Sequence, residues 1–202
     1  SLNLSTLLDV TLSLVFVFFT LSMFVSGIVE FINALLAQRS RLLQLALLKV
    51  LETPGVADQY AAIIQSVRRG QPTAATAFDK FWNHPLIRIK RQQYFGMKPI
   101  SYLSADSFST VILDLLAKAS PASGLTTTNA EEQVLAQIRQ AVADPTADPT
   151  LATLKELVAP LLQRSDTLAA FKKNLETWYD GYMEQVSGWF KRYAQAVVWG
   201  VA

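Results

Sequence analysis

The chain has 202 residues, of which 51% are apolar and 17% charged, and it carries a formal net charge of +2 with no cysteine and one histidine. This composition is more apolar and less charged than that of a typical soluble domain, which predicts a membrane component in a chain of one-domain length. The absence of cysteine excludes disulfides, thiolate metal sites and a cysteine nucleophile. One histidine excludes a histidine metal cluster, and the scattered basic residues do not indicate nucleic-acid binding.

The first predicted element is a membrane-spanning helix. Residues 10–29 read VTLSLVFVFFTLSMFVSGIV without a charge, and roughly 20 residues at about 1.5 Å each match a hydrocarbon core of about 30 Å. A secretory signal peptide is disfavoured because its apolar region is shorter, about 7–15 residues, and follows positive charge. A long buried core helix and an interfacial helix are the alternatives. Residues 1–36 are predicted to form a transmembrane anchor.

The charges around this segment predict its orientation. Asp9 precedes it, whereas Arg39, Arg41 and Lys49 follow it. By the positive-inside rule, the C-terminal side of the helix then faces the cytoplasm. Residues 37–190 are therefore predicted to form a helical cytoplasmic domain.

Polar residues of the predicted span share one side of the helix, which we call the polar stripe. At about 100° per residue they fall within roughly 100° of one another. The stripe consists of Thr11, Ser22, Ser26, Glu30 and Asn33. In lipid such residues usually face another helix, where small side chains allow close approach and polar groups find partners. The stripe predicts a helix–helix contact, and the alternative is that Glu30 and Asn33 lie at the headgroup boundary.

Helical spacing continues beyond the span. Apolar residues recur through residues 41–51 until Pro54-Gly55 interrupts them, which predicts a helix that lies along the membrane or enters the domain. A short amphipathic helix is predicted for residues 56–69. A turn is expected at Asn83-His84-Pro85, since a proline disfavours helix at the residue before it.

Helix starts are predicted from capping residues in the second half of the chain. Ser104 and Asn129 suit N-caps, with Glu132 completing a capping-box pattern after Asn129. Thr150 is predicted to cap the next helix, and Ser165 or Asp166 the last one. No alternating strand pattern is present in the sequence. The predicted fold is therefore all-α.

The C-terminal end resembles the beginning of a second membrane segment. Basic residues precede the apolar run AQAVVWGVA, and aromatic residues that favour the headgroup level lie beside it. Residues 191–202 therefore start a second span, lie in the membrane surface or pack on the first helix. The candidate membrane-interface residues are Arg39, Arg41, Trp189, Lys191, Arg192, Tyr193 and Trp199.

Catalytic chemistry has no specific signal. His84 is the candidate acid–base group, but a turn histidine that bonds the backbone or stacks on Trp82 is the favoured interpretation. Glu131 and Glu132 point about 100° apart on a helix, so they suit a helix start better than a carboxylate pair. The sequence contains no nucleophile elbow, zinc-protease, dinucleotide or P-loop motif.

One cluster combines aromatic and basic side chains. It consists of Tyr94, Phe95 and Tyr102 beside Arg88, Lys90 and Arg91. Such a cluster can stack nucleic-acid bases or lie against lipid headgroups. Core packing with membrane-surface contact is the favoured interpretation.

Three segments together resemble a family of uncharacterised bacterial multi-pass membrane proteins. Residues 7–43 carry the span followed by Glu30-Phe31 and a basic stretch, and residues 81–116 contain the family's Asn-His-Pro-Leu-Ile segment. Residues 175–195 include VSGWFKR, similar to the family's Val-Ser-Gly-Trp-Tyr-Lys-Arg block. The resemblance implies two or more spans around a cytoplasmic helical domain in a bacterial inner membrane. It transfers no catalytic residue, and it makes His84 and Asp180 positions of interest without assigned roles.

These observations lead to three functional hypotheses. The preferred one is a membrane-anchored structural or interaction subunit of a larger membrane complex, with no catalysis of its own. Its partners would be the lipid bilayer and other membrane subunits or a second copy, without nucleic acid, and no cofactor is predicted. The second is an enzyme or small-molecule sensor whose site is built around His84, Tyr94, Tyr102 and Asp180. The third is a peripheral protein that binds anionic lipid.

Overall fold

The computed structural model describes residues 3–52, 76–92, 100, 102–120 and 129–201. These residues form seven α-helices and one 3-10 turn, without a β-strand, so the all-α prediction is confirmed. The helices are α1 (Leu4–Leu51), α2 (Ala77–Trp82), α3 (Pro85–Gln92), α4 (Ala105–Ala119), α5 (Ala130–Ala143), α6 (Ala152–Gln163) and α7 (Leu168–Val201), and the 3-10 turn is Pro149–Leu151. The helix predicted for residues 56–69 lies outside the described residues.

The chain divides into two compact units, Ser1–Arg39 and Ser40–Ala202. The described part of the first unit is the N-terminal portion of α1. The second unit contains the C-terminal end of α1 and all of α2 to α7.

The C-terminal end of α1 is a core helix of the second unit. Leu43, Leu47, Leu48 and Leu51 are almost fully buried there, at the spacing of three and four residues that places side chains on one helix face. The sequence predicted a helix that either lies along the membrane or enters the domain, and this end of α1 enters the domain core. Immediately after it, the buried carboxylate of Glu52 accepts a hydrogen bond from the Phe78 backbone N–H at 2.9 Å.

Helix α4 lies at the centre of the second unit. It packs most extensively against α7 and α5, and it also contacts α2 and α3. Phe108 of α4 stacks on Tyr179 of α7, with ring centroids 4.2 Å apart, and tilts against Phe81 of α2 at 5.7 Å. The buried Tyr179 hydroxyl donates to the Leu103 carbonyl oxygen at 3.0 Å, and burial raises the pKa of this phenol. These contacts join three helices and the segment before α4.

Two of the predicted helix caps are confirmed. The Ser104 hydroxyl accepts a hydrogen bond from the Ser107 N–H at 3.3 Å, and the Asn129 carboxamide oxygen accepts from the Glu131 N–H at 3.2 Å. Each satisfies a backbone donor that the first helical turn leaves without an intrahelical acceptor. The sequence could predict these two caps because the capping side chain and the backbone donor lie within three residues of each other.

The other two predicted caps are wrong. Thr150 lies inside the 3-10 turn, where its hydroxyl donates to Asp148 at 2.5 Å, and α6 begins two residues later without a side-chain cap. The start of α7 is capped by Thr167, whose hydroxyl accepts from the Ala170 N–H at 3.1 Å, and not by Ser165 or Asp166. The Ser165 hydroxyl instead donates to the Leu161 carbonyl at 2.7 Å. In both places a competing polar contact determines which hydroxyl is available as a cap.

The segment between α5 and α6 is held by two lysines. Asp148 has φ of 44°, a left-handed conformation that aspartate tolerates better than most residues. Lys80 of α2 contacts its carboxylate at 2.6 Å. The buried Lys155 of α6 donates to the carbonyl oxygens of Asp144, at 2.9 Å, and Ala147. Both lysines thus stabilise the conformation of the segment between α5 and α6.

Helix α7 is continuous from Leu168 to Val201. It passes through Gly181 and Gly188, although glycine lowers helix propensity. Its C-terminal turns include the described part of residues 191–202. The entry of this end into a membrane remains a prediction.

Candidate membrane interface

The apolar segment of α1 is exposed around its whole circumference. Every Val, Leu, Ile, Met and Phe from Val10 to Val29 is at least half exposed, including Phe16 at 68% and Phe24 at 68%. Burial of one such side chain stabilises a folded protein by about 1.5–3 kcal/mol, so a water-exposed surface of this kind is strongly unfavourable. Among the described residues, α1 is the one helix long and apolar enough to cross a membrane.

Two hydroxyl groups of this segment have their hydrogen-bond partner within the helix. The hydroxyls of Thr11 and Thr20 each donate to the carbonyl oxygen four residues earlier, at 2.8 Å. A hydroxyl satisfied by its own helix does not require a second helix in a hydrocarbon environment. Thr11 is therefore the member of the polar stripe with the least need of an external partner.

The remaining members of the polar stripe differ from Thr11. Ser22, Ser26, Glu30 and Asn33 are exposed, and among the described residues none of these side chains has a hydrogen-bond partner. Ser22 and Ser26 lie four residues apart, a spacing of small residues that allows two helices to approach closely in lipid. Four polar side chains of one helix face are thus free to meet a second membrane helix.

Basic and aromatic groups meet where the C-terminal end of α1 contacts the middle of α7. The Lys49 ammonium lies 5.6 Å from the centroid of the Trp189 ring, a cation–π contact, and the Tyr182 hydroxyl donates to the Ala46 carbonyl oxygen at 3.0 Å. Trp189 is 48% exposed, so part of its ring remains accessible. The structure thereby brings together Trp189 of the predicted interface group and Lys49, which the sequence had marked only as a charge after the span.

The other predicted interface residues are accessible where the structure describes their side chains. Arg39, Arg41, Lys191 and Arg192 are exposed, and Trp199 is 82% exposed. The side chain of Tyr193 lies outside the described residues. Exposed basic and indole groups near the ends of apolar helices suit the headgroup region of a bilayer.

His84 connects the corner between α2 and α3 to α4. Its Nε2 lies 2.8 Å from Asp114 Oδ2, and its Nδ1 accepts a hydrogen bond from the Leu86 N–H at 3.3 Å. Because Nδ1 is an acceptor, this arrangement fits the tautomer that carries its proton on Nε2. The ring is buried with both nitrogens engaged. His84 thus forms the backbone bond expected of a turn histidine and also an interhelical bond that the sequence did not indicate.

Asp114 accepts from two partners. Its Oδ2 lies 2.6 Å from the Lys118 ammonium, one helical turn away, in addition to the His84 ring. Partial burial raises the pKa of the Asp114 carboxyl, but the hydrogen bonds from Lys118 and His84 outweigh it, so the pKa lies below its ordinary value. The ionised carboxylate is therefore the form that ties α4 to the α2–α3 corner.

The loss of this tie in acid is testable. Because the folded-state pKa of Asp114 is lowered, its contribution to stability is present above the unfolded-state pKa of about 3.9 and is lost as pH falls through the folded value. We expect wild-type protein in mild detergent to lose more stability than Asp114→Asn between mildly and strongly acidic pH, measured by thermal unfolding. Asp166→Asn, which removes an exposed carboxylate, is the matched control and should behave as wild type. Equal acid sensitivity of Asp114→Asn and wild type would contradict the role of this carboxylate.

The two remaining candidate site residues that the structure describes lie at exposed positions. Tyr102 is 65% exposed, and Asp180 is exposed on α7. Tyr94 lies outside the described residues, as do Phe95 and the side chain of Arg91. Within the described ranges no group of three His, Asp or Glu side chains is placed to hold a metal ion.

Three charged contacts were missed by sequence reasoning. They are the burial of Lys155, the Glu52 carboxylate at the start of α2, and the ion pair between Lys80 and Asp148. Only the burial of Lys155 had a signal in the sequence, and it was weak. Lys155 interrupts an apolar helix face formed by Leu151, Leu154 and Val158. A charged residue in that position indicates either a helix edge or a buried partner, and only tertiary contacts distinguish the two.

Comparison of the chain with protein-family models, curated proteins and solved structures found no match to any of them. The resemblance carried by residues 7–43, 81–116 and 175–195 remains a prediction.

Proposed function

We propose that this chain is a membrane-anchored structural or interaction subunit of a larger membrane complex, with no catalysis of its own. The observation that supports it is the fully exposed apolar surface of residues 10–29, on a helix whose C-terminal end is built into the core of a helical domain. One continuous helix would then couple a bilayer to a domain that faces water. A domain anchored in this way suits a subunit that holds other components at a membrane.

The polar stripe supports a partner within the same membrane. Ser22, Ser26, Glu30 and Asn33 would each meet lipid in a lone helix, which is unfavourable for polar groups. A second helix that covers this face would give them hydrogen-bond partners. We therefore propose that the stripe contacts another membrane subunit or a second copy of this chain.

A cross-linking experiment tests the partner contact. The chain has no native cysteine, so a benzophenone maleimide can be attached at one chosen position. We expect the label at Ser26→Cys to form a protein adduct in native membranes, because this position lies within the stripe. Ile28→Cys lies about 160° away at nearly the same depth and should label mainly lipid. Mass spectrometry of the adduct identifies the partner.

Two results would contradict the subunit proposal. One is equal and exclusive lipid labelling from positions 26 and 28. The other is purification from native membranes in mild detergent as a lone monomer without any co-purifying protein. A homo-oligomer cross-linked through position 26 would assign the stripe to a second copy.

The orientation of the anchor is part of the proposal. The basic residues Arg39 and Arg41 after the span, with Asp9 before it, favour a cytoplasmic helical domain at a bacterial inner membrane. A cysteine at the exposed Lys173 of α7 should then react with an impermeant maleimide only after the membrane is permeabilised. Reaction in intact cells would contradict this orientation.

A further inference from the structure

The described residues of the second unit expose large apolar side chains in two places. Among its described residues, the large apolar side chains with substantial exposure are Leu86, Ile89, Tyr102, Trp189 and Trp199. The two tryptophans belong to the C-terminal half of α7. The other three belong to α3 and to the segment that precedes α4, far along the chain from the predicted spans.

Helix α3 is anchored to the core through one side and presents apolar residues on the other. Ile87 is fully buried, whereas Leu86 is 39% and Ile89 is 58% exposed. At about 100° per residue, Leu86 and Ile89 lie about 60° apart, and Ile87 lies about 160° from Ile89. The exposed Arg88 lies about 100° from Ile89, on the side of Ile89 away from Leu86, so Ile89 is flanked by an apolar and a basic side chain. The exposure of Leu86 and Ile89 therefore follows from the way Ile87 fixes the helix.

Tyr102 belongs to the segment before α4, and α3 contacts the start of α4. The Lys90 ammonium of α3 donates to the Ser107 hydroxyl at 2.6 Å, and that hydroxyl lies 2.8 Å from the hydroxyl of Ser104. Tyr102 is two residues before Ser104 and is 65% exposed. Leu86, Arg88, Ile89 and Tyr102 together form what we call the α3 surface.

The charge at the α3 surface is positive. The α3 sequence PLIRIKRQ has three basic residues and no acid. The acids of the adjoining α4 are already paired, Asp106 with Lys172 at 2.5 Å and Asp114 with Lys118 at 2.6 Å. Arg88 has no ion-pair partner among the described residues. An accessible guanidinium without a neutralising carboxylate thus lies on the same short helix as two exposed aliphatic side chains.

We propose that the α3 surface binds the headgroup region of an anionic phospholipid membrane. Leu86 and Ile89 enter the boundary between headgroups and acyl chains, the amphipathic ring of Tyr102 lies at headgroup level, and Arg88 contacts lipid phosphate. Anionic lipid is the occupant that matches both properties of the surface, since it combines apolar chains with negative charge. This contact is additional to the α1 span and does not depend on it.

Site-specific labelling of the full chain in nanodiscs tests this proposal. An environment-sensitive fluorophore is attached to Ile89→Cys, with Gln163→Cys on the exposed side of α6 as the matched control and Val17→Cys as the reporter for the span. Nanodiscs contain phosphatidylcholine with or without phosphatidylglycerol, and they carry a nitroxide quencher either on the headgroup or deep in the acyl chain. We expect the label at 89 to shift to the blue and to be quenched by headgroup nitroxide when phosphatidylglycerol is present. The label at 163 should do neither.

The charge contribution is tested by Arg88→Gln in the Ile89→Cys background. Loss of quenching at position 89 in phosphatidylglycerol nanodiscs, with unchanged helical circular dichroism, would support the guanidinium contact. A label at 89 that stays in water at every lipid composition would overturn the proposal, as would a blue shift without lipid quenching, which indicates a protein or nucleic-acid partner. Failure of the Val17→Cys label to be quenched by acyl-chain nitroxide would refute the span alone, so the two proposals fail separately.

Discussion

Phe108→Ala is expected to lower the free energy of unfolding by about 3–5 kcal/mol, the usual range for removal of a fully buried phenylalanine. The ring of Phe108 is 0% exposed and contacts aromatic rings of α2 and α7. Its loss removes buried apolar area and leaves a cavity at the junction of three helices. Chemical denaturation of the full chain in mild detergent, followed by circular dichroism, measures the effect.

Phe24→Ala is the matched control for this change. The same side chain is removed there, but from a position that is 68% exposed on the apolar segment of α1. We expect the stability of the helical domain to stay within about 0.5 kcal/mol of wild type, as for surface substitutions in general. A similar small effect for Phe108→Ala would show that α4 is not the centre of the core.

A second large effect is expected from charges in the centre of the apolar segment. We expect the double variant Val17→Arg, Leu21→Arg to be released from membranes by alkaline carbonate, whereas the wild type is retained. Exchange of an apolar residue for arginine at mid-span opposes insertion by roughly 3–4 kcal/mol, so two exchanges oppose it by roughly 6–8 kcal/mol. Both positions lie on the side of α1 opposite the polar stripe, which separates insertion from partner binding.

The control for this variant adds the same charge elsewhere. Gln140→Arg, Gln163→Arg places two arginines at exposed positions of α5 and α6 and should remain membrane-bound. Carbonate resistance of the double mid-span variant would contradict the anchor. Release of the wild type by carbonate or high salt would favour the peripheral hypothesis, in which the chain only lies on the membrane.

The mid-span variant also tests whether the two ends of one long helix depend on each other. The same α1 that exposes an apolar segment at residues 10–29 buries Leu43, Leu47 and Leu51 in the domain core. If the mid-span arginines release the protein without changing its unfolding transition, insertion and folding are independent. If they also destabilise the domain, the helix couples the two, and the anchor contributes to the fold.

The contacts of His84 match one of the two interpretations that the sequence allowed. The sequence offered a catalytic or sensor group, or a turn histidine bonded to the backbone. In the structure both ring nitrogens are engaged, one by the Leu86 N–H and one by Asp114. A histidine in this position stabilises the α2–α3 corner. The sensor hypothesis remains a prediction, and no contact of the described residues favours it over the subunit hypothesis.

Local patterns of the sequence were sufficient for several elements. The apolar run of residues 10–29 and the caps at Ser104 and Asn129 depend on residues close to one another in the sequence. Helix periodicity and capping hydrogen bonds act over this range, so composition and spacing alone carry the information. The all-α class follows from the same local rules.

Tertiary structure decided the contacts between distant residues. The Tyr182 hydroxyl donates to the carbonyl oxygen of Ala46, which is 136 residues earlier in the sequence. The Lys80 ammonium binds the carboxylate of Asp148, which is 68 residues later. Tertiary structure also decided which hydroxyl caps a helix. The Thr150 hydroxyl binds Asp148 and does not cap α6, and α7 is capped by Thr167 in place of the predicted Ser165 or Asp166. Local sequence determined which segments form helices and which are apolar enough for a membrane. The partner of each buried polar group depends on which helices pack together. A buried charge or carbonyl needs a hydrogen-bond partner, and packing determines which donors and acceptors lie close enough to provide one.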